Sequence, residues 1–211
     1  MNRSTRRRQS DRWAGFLFLG NQLALDFLNT RPVQAGEPVE LLPDFAALLR
    51  WFASAGLLDS PEVAALRRDW HGSERARRAT AALRQLREKL RAQLLDWERG
   101  HAIQPSMLEE LNDLMAKHPM RTRLRTKAKW CQTELWFEPC EPEDLFAPLA
   151  HSAAILFAAL DRRRVRKCTG CVLHFYDTSR KGTRRWCSMQ LCGNRLKVAA
   201  YAARRRKLAR R

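Results

Sequence analysis

The chain has 211 residues, 45% of them hydrophobic, and a formal net charge of +18. That length allows one medium domain and one small one, and no run reaches the roughly 18–20 apolar residues a membrane-spanning helix needs. The charge is local: residues 162–211 hold 17 Lys and Arg against the single acid Asp177, a net of +16, residues 1–12 add +4, and residues 13–161 come to −2.

Residues 1–12 are polar and Arg-rich and read as a disordered basic arm. Arg6–Arg8 and the apolar run Ala14–Leu19 have the outline of a signal peptide. The run breaks at Gly20 and meets Asp26 with no small-residue cleavage site, so a cytoplasmic protein is expected. Leu23, Ala24, Phe27 and Leu28 have helical spacing, and Asn29-Thr30-Arg31-Pro32 ends that segment because a residue before proline disfavours the helical region. Asp26, Asn29, Thr30 and Arg31 form the most polar cluster beside an apolar helix. They are candidates for a small-ligand pocket, or simply a helix C-terminal turn.

Pro43 and Asp44 open a helix with Phe45, Leu48, Leu49 and Phe52 on one face and Gly56 as its stop. Ser60-Pro61-Glu62 starts a second, combining an N-cap, a first-turn proline and an acid at the positive end of the helix dipole. The clearest helix runs from about Ser73 to Arg99, with Ala79, Leu83, Leu86, Leu90, Leu94 and Trp97 at intervals of three and four. Pro105 opens another, with Leu108, Leu111, Leu114 and Met115 expected inward. Arg121–Glu138 reads as one or two strands. After Pro142, Leu149, Ala153, Leu156, Phe157 and Leu160 give a last apolar helix, which runs into Arg162-Arg163-Arg164. Cys131 and Cys140 read as small buried apolar residues. No nucleophile pattern joins His71, His101, His118 and His151, and phosphate loops are absent, so the chain reads as a non-enzyme.

Cys168, Cys171, Cys187 and Cys192 are spaced as two close pairs across a hairpin-sized gap. This suits four thiolates converging on one tetrahedral zinc ion, and the spacing does not match ferredoxin patterns. Fifty residues so highly charged cannot build a core alone, so the metal is expected to supply the folding energy. Val172–Asp177 reads as a strand, Thr178–Gly182 as a turn and Thr183–Trp186 as a returning strand. Ser188 then caps a helix that holds Cys192 near its first turn. Knuckle, hairpin and helix in this order make a treble-clef-like zinc finger. His174 is a possible substitute ligand but reads better as a surface strand residue.

The expected fold is a mainly α N-terminal domain with a small β hairpin, plus that finger. The expected division is a basic arm at 1–12, a helical domain at 13–161 and the finger at 162–211.

Trp186-Cys187-Ser188-Met189, then Cys192-Gly193-Asn194-Arg195 and Lys197, closely resemble the CGNR zinc finger, as do Phe175–Arg180. The family often has a longer gap than two residues between its first two cysteines. Leu23–Thr30 and Leu48–Leu58 resemble the opening of the helical ABATE domain that usually precedes this finger. The resemblance implies a bacterial transcription regulator whose finger binds DNA, with the four cysteines as zinc ligands.

On that reading Arg180, Lys181, Arg184 and Arg185 on the hairpin, with Arg195, Lys197, Arg204, Arg205 and Arg206 on the helix, form the surface that meets duplex DNA. The helical domain would sense a ligand or partner. The alternative is an RNA-binding or ribosome-associated zinc protein, with Phe175, Tyr176 and Trp186 stacking on unpaired bases.

Overall fold

The computed structural model describes residues 12–209 except 14, 35, 128 and 129; the expected arm, apart from Arg12, lies outside the described residues. Capping chemistry sets the helix starts. Helix α1 (Leu23–Leu28) is capped by Gln22, whose side chain accepts from Leu25 N. Asp44 does the same for α2 (Phe45–Ser54) and Ser73 for α4 (Glu74–Glu98). Helix α3 (Ser60–Trp70) starts one residue earlier than the sequence suggests. Asp59, not Ser60, is its N-cap and closes a capping box with Glu62. Helix α5 (Pro105–Lys117) opens on its proline, and α6 (Phe146–Ala159) follows a short 3-10 turn at Pro142–Leu145.

Helix α4 is the spine. Its buried positions, from Ala76 and Ala79 through Leu83, Leu86, Leu90 and Leu94 to Trp97, make one stripe at helical spacing. Helices α1, α2 and α5 pack on it, and α1 and α5 also pack on α6. At the centre Trp51 is fully buried, its ring 5.9 Å from Phe18, 5.7 Å from Phe27 and 5.3 Å from Phe52. Gln22 ties α1 to α6 by donating to Ser152 O and Oγ at 2.6 and 2.7 Å. A charged pair sits inside this domain. The Arg87 side chain is 1% exposed and bonds Glu40, at 2.8 Å through Nη1, and Thr30 Oγ1 at 2.8 Å.

Four small antiparallel pairs among the described residues complete the fold. β1 (Arg12–Trp13) pairs with β2 (Phe16–Leu17), β3 (Val33–Gln34) with β4 (Glu37–Pro38), β5 (Arg121–Lys127) with β6 (Trp130–Trp136), and β7 (Val165–Lys167) with β8 (His174–Tyr176). The expected strands at Arg121–Glu138 are thus a hairpin, and it leaves Leu124 and Trp130 74% and 79% exposed. Leu108 is also exposed rather than inward, because α5 buries only Met107 and Leu111 fully. Cys131 and Cys140 are exposed, against the expectation of burial, since they sit on the open hairpin and in the loop after it.

The finger does not close its core with residues 162–211 alone. Leu17 and Leu19, from the segment before α1, cluster with Cys168, Leu173, Phe175, Cys187 and Cys192. Gly20 makes this approach possible. A Cβ there would lie 2.8 Å from Asp26 N and from Leu25 Cβ, so no side chain fits. Its carbonyl accepts from Tyr176 N at 2.8 Å.

Candidate metal centre and basic surface

β7 leads into the first cysteine pair, the chain turns at Thr169-Gly170, and β8 returns, so the first knuckle is the loop of a hairpin. The expected returning strand at Thr183–Trp186 does not form. The reason is Asp177, fully buried, whose carboxylate accepts Ser179 N at 2.9 Å and Arg184 N at 2.8 Å and so wraps residues 177–184 around itself. Burial alone would raise its pKa, but these bonds and the nearby Arg166 hold it below the ordinary carboxylate value. The partner of β8 is therefore β7.

Ser188 accepts from Gln190 N and Leu191 N and caps a single π-helical turn, Met189–Gly193, which carries Cys192 and runs into α7 (Asn194–Ala209). Two glycines let these parts touch. A Cβ on Gly170 would stand 2.7 Å from Leu196 Cδ1 and 3.2 Å from Cys192 Cβ, and one on Gly193 would stand 2.6 Å from Met189 Sδ.

The four sulfurs lie within 4.8 Å of one another, with Cys171–Cys187 and Cys187–Cys192 both at 3.7 Å. Tetrahedral zinc–thiolate bonds of about 2.3 Å imply sulfur–sulfur edges of about 3.8 Å, so the cluster fits the ion. The protonation chemistry agrees. Cys171 is drawn down to about 5, chiefly by the hydrogen bond from Cys187. That same bond, with burial and neighbouring charge, pushes Cys187 up. Burial first, then Cys171, raises Cys192 to about 11. Sulfurs this close cannot all ionise without a cation between them. The four cysteines are a zinc site.

Around it the candidate surface residues divide. Arg184 turns inward. Its Nε donates to Trp186 O at 2.8 Å, its guanidinium also reaches Cys187 O, and it lies 4.6 Å from the Phe175 ring. Arg195 reaches back to Gly170 O at 2.9 Å, and one of its nitrogens is 3.9 Å from Cys192 Sγ. Both brace the knuckles. Arg180, Lys181, Arg185, Arg195, Lys197 and Arg205 are exposed, while the side chains of Arg204 and Arg206 lie outside the described residues. Phe175 is fully buried and Tyr176 packs on the helical core. Trp186 is half-buried, with Arg185 and Lys197 each 5.8 Å from its ring centroid. These aromatics belong to the folded core rather than to an open stacking platform.

The quartet near the end of α1 is engaged internally. Gly20 N donates to Asp26 Oδ1, Thr30 bonds Phe27 O and Arg87, and Arg31 pairs with Glu88 at 3.3 Å. Asn29 donates to His174 O at 2.9 Å and accepts from His174 N at 3.0 Å, a reciprocal bridge to the finger. His174 is buried at that bridge rather than on the surface and is not part of the sulfur cluster. Sequence reasoning missed the bridge because nothing in the chain's periodicity pairs positions 29 and 174. It also missed Leu17 and Leu19 as finger residues.

No helix among the described residues is long and apolar enough to cross a membrane. The chain matches two family models. One is ABATE, described as "Putative stress-induced transcription regulator", over residues 21–160; the other is the CGNR zinc finger, over residues 164–205. No curated protein matches the chain.

Proposed function

The chain belongs to the ABATE family and ends in a CGNR zinc finger, and from that premise we propose that it is a zinc-dependent, DNA-binding transcription regulator of the cytoplasm. The observation that carries this reading is the placement of charge. Nearly all the net positive charge lies on residues 162–211, the stretch that holds the zinc site, and a basic face on a rigid metal module is the electrostatic footprint of a nucleic-acid binder. The proposed contacts are Arg180, Lys181, Arg185, Arg195, Lys197 and Arg205, all exposed. Arg184 holds the knuckles that present them.

The helical domain is the sensor half, and its influence on the finger runs through the Asn29–His174 bridge, where a ligand or partner that shifts α1 would move β8. The RNA reading is less favoured, because Phe175 is fully buried and Tyr176 is partly buried against the helical core.

Zinc content and fluorescence-anisotropy binding to random duplex DNA, single strands and RNA test the proposal. About one zinc per chain is expected, with duplex binding that chelation abolishes. About six phosphate contacts give a slope near −5 in log K against log salt. Preference for RNA or single strands over duplex overturns it.

A further inference from the structure

We infer that a groove at the junction of the two domains is a track for the phosphodiester backbone of duplex DNA, and that the helical domain sets its strength through Glu98. The inference rests on the DNA-binding reading and extends it to residues not among the contacts proposed above. The groove encloses about 460 Å³ and is lined by Arg162, Arg163, Arg166, Lys167, Arg184 and Arg185, with Val165, Thr169 and Glu98. Six cations face one carboxylate. Arg162 and Arg163 lie in the gap between the two matched spans.

The cations are not equivalent. Arg166 donates to Gly182 O at 2.6 Å and stands 3.6 Å from Asp177. Arg184 is held by the carbonyls of Trp186 and Cys187, and Arg163 pairs with Asp161. Arg162, Lys167 and Arg185 are exposed and have no carboxylate at salt-bridge distance among the described residues. A concave surface with uncompensated cations over a low-dielectric wall focuses field and concentrates anions.

Continuity decides which anion. Thr169, in the groove wall, donates to Arg185 O at 3.1 Å, and the adjacent Gly170 accepts from Arg195. Arg185 and Lys197 flank Trp186 from the groove side and from α7. The groove thus continues as one basic band along the knuckles to the last helix. Such a band suits a linear polyanion with phosphates at regular steps, not a single small anion. Glu98 is the last residue of α4. Its Oε1 is buried, has no hydrogen-bond partner among the described residues, and is 3.4 Å from His174 Nε2. The helical domain therefore places one negative charge against the track.

The test uses full-length, zinc-loaded protein and unrelated random duplexes across salt. Arg162→Gln combined with Lys167→Gln should reduce the salt slope by about 2 and weaken all sequences alike, because phosphate contacts read no bases. Unchanged zinc content and thermal midpoint would show that the fold is intact. Glu98→Gln should tighten binding several-fold at low salt. If wild type binds duplex DNA and the double variant keeps its slope and affinity, the track is refuted while the DNA reading stands. If wild type binds no duplex at all, the DNA reading fails first. Saturable binding of inorganic triphosphate without duplex binding would make the groove a small-anion site and overturn the proposal.

Discussion

The helical domain closes around Trp51, Phe27, Phe52 and the leucines of α4, all at or near zero exposure. The finger closes around Cys168, Cys187, Cys192, Leu173 and Phe175, and takes Leu17 and Leu19 from the far end of the chain. The first core is held by apolar area removed from water. The second has too little such area and a set of sulfurs that oppose one another's ionisation, so its cohesion comes from the metal. Two ways of making a core sit side by side in one chain, joined by a few polar bonds and by the apolar Leu17 and Leu19.

Metal removal tests the difference most severely. Structural zinc contributes about 10–16 kcal/mol to folding of small fingers. Chelation, or Cys187→Ser, should therefore abolish hydrogen-exchange protection in β7, β8 and the turn at 189–193, while amides of α2, α4 and α6 stay protected. Loss of protection across both domains together would show that the two cores are one cooperative unit.

Next comes Trp51→Ala, which empties the centre of the apolar core and should cost about 3–5 kcal/mol in urea unfolding. Trp51→Phe should cost clearly less. The Trp51 indole N–H is buried with no hydrogen-bond partner among the described residues, and phenylalanine removes that orphan donor while keeping a six-membered aromatic ring in the site. Equal losses for the two variants would mean that packing shape alone decides the site.

The helical domain also holds the Arg87–Glu40 pair, and that pair responds to acid. Burial would raise the Glu40 pKa, but the bond and charge of Arg87, with Leu42 N and Arg84, outweigh it and keep the group below its ordinary value of 4.5. A depressed carboxylate contributes stability above its unfolded pKa and loses it as pH falls through the folded value. Helical-domain stability should thus decline below about pH 4.5. Glu40→Gln should remove about 3 kcal/mol at neutral pH and flatten that decline, measured by urea midpoints against pH. A larger cost is not expected because Glu88 still faces Arg87 at 2.9 Å.

Much of this was legible in the chain because it is local. Helix boundaries follow caps and breakers such as Asp44, Ser73 and the left-handed Gly56 and Gly100, at φ +73 and +100. The zinc ligands follow from spacing, since two knuckles leave a fixed signature. The misreadings are tertiary. Thr183–Trp186 has strand-like residues, but the Asp177 carboxylate captures the Arg184 N–H that a strand would have used. His174 has the look of a surface position until Asn29 covers it, and Cys131 the look of a core residue until the hairpin is found to stand open. Arg184 is charged and close to the ligands, which suggests outward contact, yet its donors serve backbone carbonyls of the knuckles.

The smallest expected effect bears on what joins the regions. Asn29 makes two reciprocal bonds to the His174 backbone, both buried. Asn29→Ala leaves an N–H and a carbonyl of β8 without partners, at a cost of about 2 kcal/mol, and touches neither the sulfurs nor the aromatic cluster. Zinc content should be unchanged. What should change is the coupling. In the wild type, chelation exposes the face of α1 that β8 covers, so the far-UV thermal midpoint of the helices should drop when zinc is removed. In Asn29→Ala that drop should shrink, because part of the linkage is already lost. An unshrunken drop would place the coupling in Leu17 and Leu19 instead, the apolar residues that the helical half lends to the metal core.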